Sequence, residues 1–146
     1  MLDTSVYIHG PMGRTPPAPG GLLRSRTVHH SVVATQEALH RIGVLDPAHP
    51  NTARHVGVIR TPLDRIPLHR LSVPDQEVLT DAAVVARILC RLRGYARHHR
   101  MKALHDCTLY LQTLKTGCTL LKANVADFEP LQQLQPAGRI LFYEAV

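Results

Sequence analysis

The stretch from Asp75 to Arg93 constrains the fold more than any other part of the sequence. Its apolar residues recur at alternating offsets of four and three, which places them on one face of an α-helix. The members of this stripe are Val78, Ala82, Val85, Leu89 and Leu92. Gly94 follows at the position where glycine most often ends a helix. A helix with one long apolar face must be covered by other elements, so the chain needs a layered fold.

Short apolar runs and helical patterns alternate along the rest of the chain. We predict strands at 2–8, 29–34, 69–73, 118–123 and 139–143, and further helices at 35–45, 51–66 and 102–115. The proline-rich and glycine-rich stretch 10–21 is predicted as a surface loop. Such alternation is typical of a parallel sheet whose crossovers are helices. We therefore predict one α/β domain, residues 1–146, with helices on both faces of a central, mainly parallel sheet of four to five strands.

The composition excludes several classes of protein. Hydrophobic residues make up 45% of the chain and charged residues only 19%, which is typical of a folded domain and not of a disordered one. The three cysteines have no CxxC spacing and are expected to be reduced. The sequence shows no secretory signal and no membrane-spanning run, so we expect a cytoplasmic protein without membrane contact. The formal net charge of +6 favours an anionic partner such as nucleic acid.

Four of the eleven acidic residues stand out, because open parallel sheets bind ligands at the ends of their elements. They are Asp3, Glu37, Asp106 and Asp127. Carboxylates that converge inside a fold repel one another unless a cation lies between them, and oxygen ligands are those that Mg²⁺ and Mn²⁺ prefer. A shared divalent ion is therefore one interpretation of the four acids.

Each acid also has a purely structural interpretation as a turn cap, a helix cap or an ion-pair partner. These roles pair Asp3 with the turn at Thr4 and Ser5, Glu37 with Arg41 in the first turn of a helix capped by Thr35, Asp106 with Lys102 on an exposed face, and Asp127 with Asn124. Spacing alone does not decide between the two sets of roles.

Four segments of the chain share their order and spacing with a known family. They are LDTSVYI at 2–8, SVVATQEAL at 31–39, HDCTLYLQ at 105–112 and CTLLKANVADFEPLQQL at 118–134. Together they resemble the PIN-domain ribonucleases, and in particular the VapC-type toxins of toxin–antitoxin modules. The order and spacing of the segments are more specific than any one of them, and the resemblance extends over nearly the whole chain. It implies a PIN-like three-layer α/β/α fold.

The resemblance also implies a metal-dependent endoribonuclease that hydrolyses RNA phosphodiester bonds with Mg²⁺ or Mn²⁺. All four acids would then be catalytic residues and metal ligands, with Asp3 and Asp106 as the principal ligands. Thr4, Ser5 and Asn124 would orient carboxylates or a bound water, although turn and capping roles explain these three equally well. A cognate antitoxin and a second copy of the chain are the implied protein partners.

Some positions depart from the family pattern. The family usually has Thr where this chain has Lys122, and a pair of small residues where it has Thr108 and Leu109. The segment 94–105 is more basic than is usual in the family, which bears on the choice of substrate.

Basic residues cluster in the sequence before Asp106. Those expected to contact RNA phosphates are Arg91, Arg97, Arg100 and Lys102, with Arg87 and Arg93 nearby. A solvated charged face is the alternative. Aromatic residues make up only 4% of the chain, so a stacking platform for bases is not expected. The ten histidines lack zinc-ligand spacing.

Two other functions compete with the ribonuclease. A catalytically degenerate PIN-like module would bind RNA through the basic residues without cutting it. A helix-turn-helix DNA-binding protein explains the positive charge but not the position of the acids. Metal binding that depends on Asp3 would favour the nuclease, and RNA binding that needs no metal would favour the degenerate module.

Overall fold

The computed structural model describes residues 1–123, 125 and 128–146. In chain order the helices and strands are α1 (Thr4–His9), α2 (Pro17–Ser25), β1 (His30–Ser31), α3 (Val32–His40), α4 (Thr52–Asp64), β2 (Leu71–Ser72), α5 (Gln76–Arg93), α6 (Arg100–Lys115), β3 (Thr119–Ala123), α7 (Glu129–Leu134) and β4 (Arg139–Tyr143). Short 3-10 turns lie at Arg41–Val44, Leu68–Arg70 and Arg97–His99. No helix in this described part is both long and apolar enough to cross a bilayer.

The strands pair in parallel, as the sequence predicts. β3 pairs with β4 along its whole length, and Leu2 adds a single parallel bridge to Leu121 of β3. β1 pairs with β2. Within the described ranges these strands form two separate pairs, and the continuous sheet of four to five strands that we predicted is not observed there. The mixed α/β class is confirmed.

The long helices α5 and α6 form as their sequences predict. The carboxylate of Asp75 caps α5 by accepting a hydrogen bond from the N–H of Val78 at 3.0 Å, and Gly94 ends the helix with a left-handed backbone at φ 62°. α6 contacts α5, α3 and β3, so its residues are buried on more than one side. The largest fully buried side chains of the core are Tyr110, Phe128, Leu89, Leu120 and Leu131.

Two segments near the N-terminus differ from the predictions. The predicted strand at 2–8 is helix α1 after its first residues, because the carboxylate of Asp3 accepts a hydrogen bond from the N–H of Ser5 and caps a helix. The second part of the loop predicted at 10–21 is helical, because α2 begins at Pro17. Proline is tolerated in this first turn because the first N–H groups of a helix have no partner within it.

Helix α3 begins at Val32, before Thr35, so the prediction that Thr35 caps this helix is wrong. Ser31 caps the helix, since its Oγ accepts a hydrogen bond from the N–H of Val33 at 3.2 Å. The strands predicted at 29–34 and 69–73 are correspondingly shorter, and only β1 and β2 remain of them. Glu37 consequently lies in the middle of α3 and not in its first turn.

Candidate functional site

Asp3 is held by hydrogen bonds at the start of α1, directly after Leu2, which pairs with Leu121 of β3. Its Oδ1 accepts hydrogen bonds from the N–H of Ser5 at 2.9 Å and from the Oγ of Ser5 at 2.7 Å. The same Oγ accepts a hydrogen bond from the N–H of Ala123 at 3.0 Å. Only 3% of Asp3 is exposed. The capping role is thus observed, and it leaves Oδ2 available for a different partner.

Asp106 lies on the face of α6 that the sequence pattern marks as polar, yet this face is buried. Asp106 is 6% exposed, and Ala103 and Tyr110 on the same face are 3% and 0% exposed. The cause is the position of α6 between α5, α3 and β3. The interpretation of Asp106 as an exposed residue is therefore wrong.

The ammonium of Lys122 lies between these two acids. Its Nζ donates to Oδ2 of Asp3 at 3.1 Å and to Oδ1 of Asp106 at 3.0 Å. It also lies 4.2 Å from the centroid of the Phe128 ring, within the range of a cation–π interaction. Lys122 is 4% exposed. We refer to Asp3, Asp106 and Lys122 as the acid–lysine cluster.

The charges within the acid–lysine cluster determine its protonation. Burial lowers the pKa of the Lys122 ammonium, but the negative charges of Asp106 and Asp3 outweigh this effect and the pKa is raised overall. Burial raises the pKa of Asp106 to about 7; Asp3 acts in the same direction and the ammonium acts against it. The pKa of Asp106 is thus near neutral while that of Lys122 is raised, so the proton that binds near neutral pH binds to Asp106 and Lys122 stays charged.

Glu37 is linked to this region through Thr4. The Oγ1 of Thr4 donates to Oε2 of Glu37 at 2.8 Å, while the carbonyl oxygen of Ala34 lies 3.3 Å away. Thr4 is buried and Glu37 is partly buried. Thr4 and Ser5 therefore make the contacts of residues that orient carboxylates. The other predicted site residues, Asn124 and Asp127, lie outside the described residues.

The acid–lysine cluster does not fit the predicted divalent ion. Mg²⁺ binds carboxylate oxygens at about 2.0–2.1 Å and needs six ligands. The volume between Asp3 and Asp106 is filled by the Lys122 ammonium, which already neutralises part of their charge. Within the described ranges, no three His, Cys, Asp or Glu residues form a group that could hold a metal ion. With Lys122 in this position, neither Mg²⁺ nor Mn²⁺ has a place to bind the two acids together.

Two cavities lie near α5 and the start of α6, and one of them is lined by Asp106. A cavity of about 280 Å³, which we call the Asp106 cavity, is lined by Asp106, Lys102, His99 and Tyr95 among others. A larger groove of about 810 Å³, which we call the basic groove, lies between α5 and the start of α6. Its cationic residues are Arg87, Arg91 and Arg100. Tyr95 lines both the basic groove and the Asp106 cavity.

The residues predicted to contact RNA are distributed over these features. Arg91 and Arg100 line the basic groove, and Lys102 lines the Asp106 cavity. Arg97 is an exposed residue of the 3-10 turn that joins α5 to α6. Three of these four residues thus line the two cavities, and their contact with RNA stays a prediction.

Lys122 and Tyr95 were not predicted as site residues. The signal for Lys122 was present, because a lysine inside an apolar strand is rarely buried without an anionic partner. The sequence marked it only as a departure from a family pattern. Tyr95 gave no such signal, since its role follows from where α5 and α6 meet.

Comparison with known proteins supports the fold. No family model matches the sequence, and no curated protein matches it significantly. Among solved structures, that of FitAB bound to an IR36 DNA fragment is similar, with a TM-score of 0.60 and 15% sequence identity over 97% of this chain and 92% of that chain. FitAB is a toxin–antitoxin complex whose FitB toxin is a PIN-domain protein. The likeness shows that the two chains share a fold.

Proposed function

We propose that this protein is a PIN-like RNA-binding component of a toxin–antitoxin pair, and that it holds RNA without cutting it through a divalent ion. The observation that carries the proposal is the basic groove, a cavity that is lined by three arginines and shares Tyr95 with the Asp106 cavity. A cationic groove of this kind suits a phosphate backbone, because Lys and Arg contacts dominate nucleic-acid affinity.

The arrangement of the arginines supports backbone contacts and not base recognition. Arg87 and Arg91 are one helical turn apart on α5, and Arg100 begins α6 across the groove. Tyr95 is the aromatic residue of the groove and provides a face on which one base could stack. Binding of this kind tolerates many sequences and weakens as the salt concentration rises.

The acid–lysine cluster argues against cleavage through a metal ion. Hydrolysis assisted by Mg²⁺ or Mn²⁺ needs an ion that activates water beside the phosphate. Lys122 fills the position between Asp3 and Asp106 from which such an ion would act. The cluster therefore favours the degenerate module among the functions that the sequence suggests.

The second candidate is the VapC-like, metal-dependent endoribonuclease. Two observations favour it: Asp3 and Asp106 direct carboxylate oxygens to one point, and the fold is related to that of a PIN-domain toxin. This function would assign metal binding and catalysis to Asp3, Glu37, Asp106 and Asp127. It also requires the Lys122 ammonium to leave the point between the acids.

A cognate antitoxin and a homodimer remain part of the proposal. The antitoxin is suggested by the similarity to FitAB, which is a toxin–antitoxin complex. Three apolar residues of α5, Leu79, Val84 and Leu92, are 49%, 61% and 63% exposed and are available for contact with a partner protein. Leu92 is exposed although its spacing places it on the apolar stripe of the helix.

The proposal is tested by RNA binding in EDTA, measured as fluorescence anisotropy of a labelled single-stranded RNA. The variant Arg87→Gln/Arg91→Gln/Arg100→Gln removes three charges from the basic groove. We expect it to weaken binding at least about tenfold and to reduce the slope of log K against log salt by roughly 2, about 0.7 for each lost contact.

The matched control removes three exposed arginines outside the groove, in the variant Arg24→Gln/Arg54→Gln/Arg65→Gln. It has the same net charge and should bind RNA almost as tightly as the unaltered protein. An equal loss of RNA affinity in the two variants would show that only the net charge of the protein matters. It would refute the claim that RNA binds in the basic groove. Absence of RNA binding by the unaltered protein would refute the proposal as a whole.

A further inference from the structure

The acid–lysine cluster joins three elements that are distant in sequence. Asp3 precedes α1, Asp106 belongs to α6 and Lys122 to β3. All three are at least nine-tenths buried, and both hydrogen bonds from Nζ go to carboxylates. The cluster is thus a fixed internal ion-pair network and not a surface contact.

A lysine is stable in the interior of a protein only if its charge is compensated by partners. An ammonium taken out of water is strongly disfavoured unless anionic partners surround it. Two buried carboxylates without a cation are disfavoured in the same way, because they repel each other. The ammonium and the acids therefore depend on each other, as a bound metal ion and its carboxylate ligands do.

We infer that the Lys122 side chain substitutes for a divalent cation in this protein, supplying the positive charge between Asp3 and Asp106 while keeping a metal ion out. The geometry carries the inference, because Nζ is 3.1 and 3.0 Å from the two oxygens and an ion bound to both would need the same volume. Lys122 also contacts the Phe128 ring, which fixes the ammonium from another side.

The inference makes a prediction about a single substitution. In Lys122→Thr the shorter side chain removes the ammonium and leaves the two carboxylates facing an open, polar volume. A β-branched residue suits the strand position, so the backbone of β3 is retained. The variant should acquire a site for a divalent ion that the unaltered protein lacks.

The test is Mn²⁺ binding in the absence of RNA. Electron paramagnetic resonance measures the affinity for Mn²⁺, and the melting temperature is compared in Mn²⁺ and in EDTA. We expect Lys122→Thr to bind Mn²⁺ at least about tenfold more tightly than the unaltered protein. Its melting temperature should be lowered in EDTA and should rise when Mn²⁺ is added. The unaltered protein should show no such rise.

Two controls keep the inference falsifiable. Lys122→Thr/Asp106→Asn removes one proposed ligand and should lose the gained Mn²⁺ binding. Lys122→Met removes the charge but keeps a long side chain in the volume, so it should be destabilised without binding Mn²⁺. The inference is overturned if the unaltered protein binds Mn²⁺ as tightly as Lys122→Thr, or if Mn²⁺ neither binds nor stabilises Lys122→Thr, including the case in which that variant stays unfolded.

This inference goes beyond RNA binding and can fail independently of it. The Mn²⁺ measurements contain no RNA, and the groove variants leave Lys122 in place. Failure to bind RNA with a positive result for Lys122→Thr would refute the proposed function alone. RNA binding with a negative result for Lys122→Thr would refute the substitution of the ion by lysine and remove its support for the absence of cleavage, but would leave RNA binding by the basic groove standing.

Discussion

The substitution Lys122→Met in EDTA tests how strongly the acid–lysine cluster stabilises the fold. It removes two hydrogen bonds to buried carboxylates, and bonds to charged groups contribute about 1.5–3 kcal/mol each. Methionine fills the volume of the aliphatic stem, so little packing is lost. Breaking a buried ion pair by removing one partner costs about 3–5 kcal/mol, and we expect a loss of that size in the free energy of unfolding.

The assay is urea denaturation of the unaltered protein and the variant at about pH 8. The alkaline pH matters because burial raises the pKa of Asp106 to about 7, and protonation of this acid would relieve part of the repulsion at lower pH. Lys122→Met/Asp106→Asn removes one negative charge as well and should recover part of the lost stability.

An exposed lysine provides the matched control. Lys115 also contacts two carboxylates, those of Asp75 and Glu77, but at the surface. Lys115→Met should change the stability little, since exposed ion pairs are screened by water. A loss below about 1 kcal/mol for Lys122→Met, similar to that of a surface pair, would refute the argument that a buried cation holds the two acids.

Two further predictions concern other parts of the fold. A Cβ at Gly138 would overlap the buried ring of Tyr110, so Gly138→Ala should lower the unfolding free energy by about 1–3 kcal/mol, whereas Gly57→Ala, in an open position on α4, should not lower it. Burial and nearby positive charges lower the pKa of His30 to about 4, and its Nδ1 lies 2.6 Å from the hydroxyl of Tyr7. The unfolded chain therefore binds a proton between about pH 6.5 and 4 that the folded chain does not, so stability falls as the pH decreases through this window. Urea denaturation at about pH 7 and pH 5 should show a larger loss for the unaltered protein than for His30→Asn, and equal losses would contradict this explanation.

The local pattern was sufficient to predict the long helices and the C-terminal strands. The stripe of α5 spans about four turns, from Val78 to Leu92, and the helix ends at Gly94, so helical period and cap agree. β3 and β4 are apolar runs bounded by turn residues, and both form where predicted. In these segments local preference and tertiary packing favour the same structure, which is why the sequence alone predicts them.

The N-terminal segment shows where local reasoning fails. Its apolar and β-branched residues favour a strand, but the carboxylate of Asp3 caps a helix and only Leu2 joins β3. In the same way Ser31, and not Thr35, caps α3. A capping side chain just before a short apolar run favours a helix, whereas the run itself favours a strand. The sequence of the run does not show which of the two preferences prevails.

The candidate site was predicted in part for a different physical reason. Two of its acids, Asp3 and Asp106, could be named from the sequence, but the burial of Asp106 depends on how α6 lies between its neighbours. The position of Lys122 depends on its contacts with Asp3, 119 positions earlier in the chain, and with Asp106, 16 positions earlier. No local pattern contains this information, so the cation between the acids emerges only from the folded structure.

The most direct test of the central claim is incubation of the purified protein with RNA in Mn²⁺ and, in parallel, in EDTA, with both binding and strand length recorded. We predict that the RNA is bound to the same extent in the two solutions and remains intact in both. Cleavage in Mn²⁺ that is absent in EDTA and abolished by Asp106→Asn would contradict the account and establish the metal-dependent ribonuclease instead.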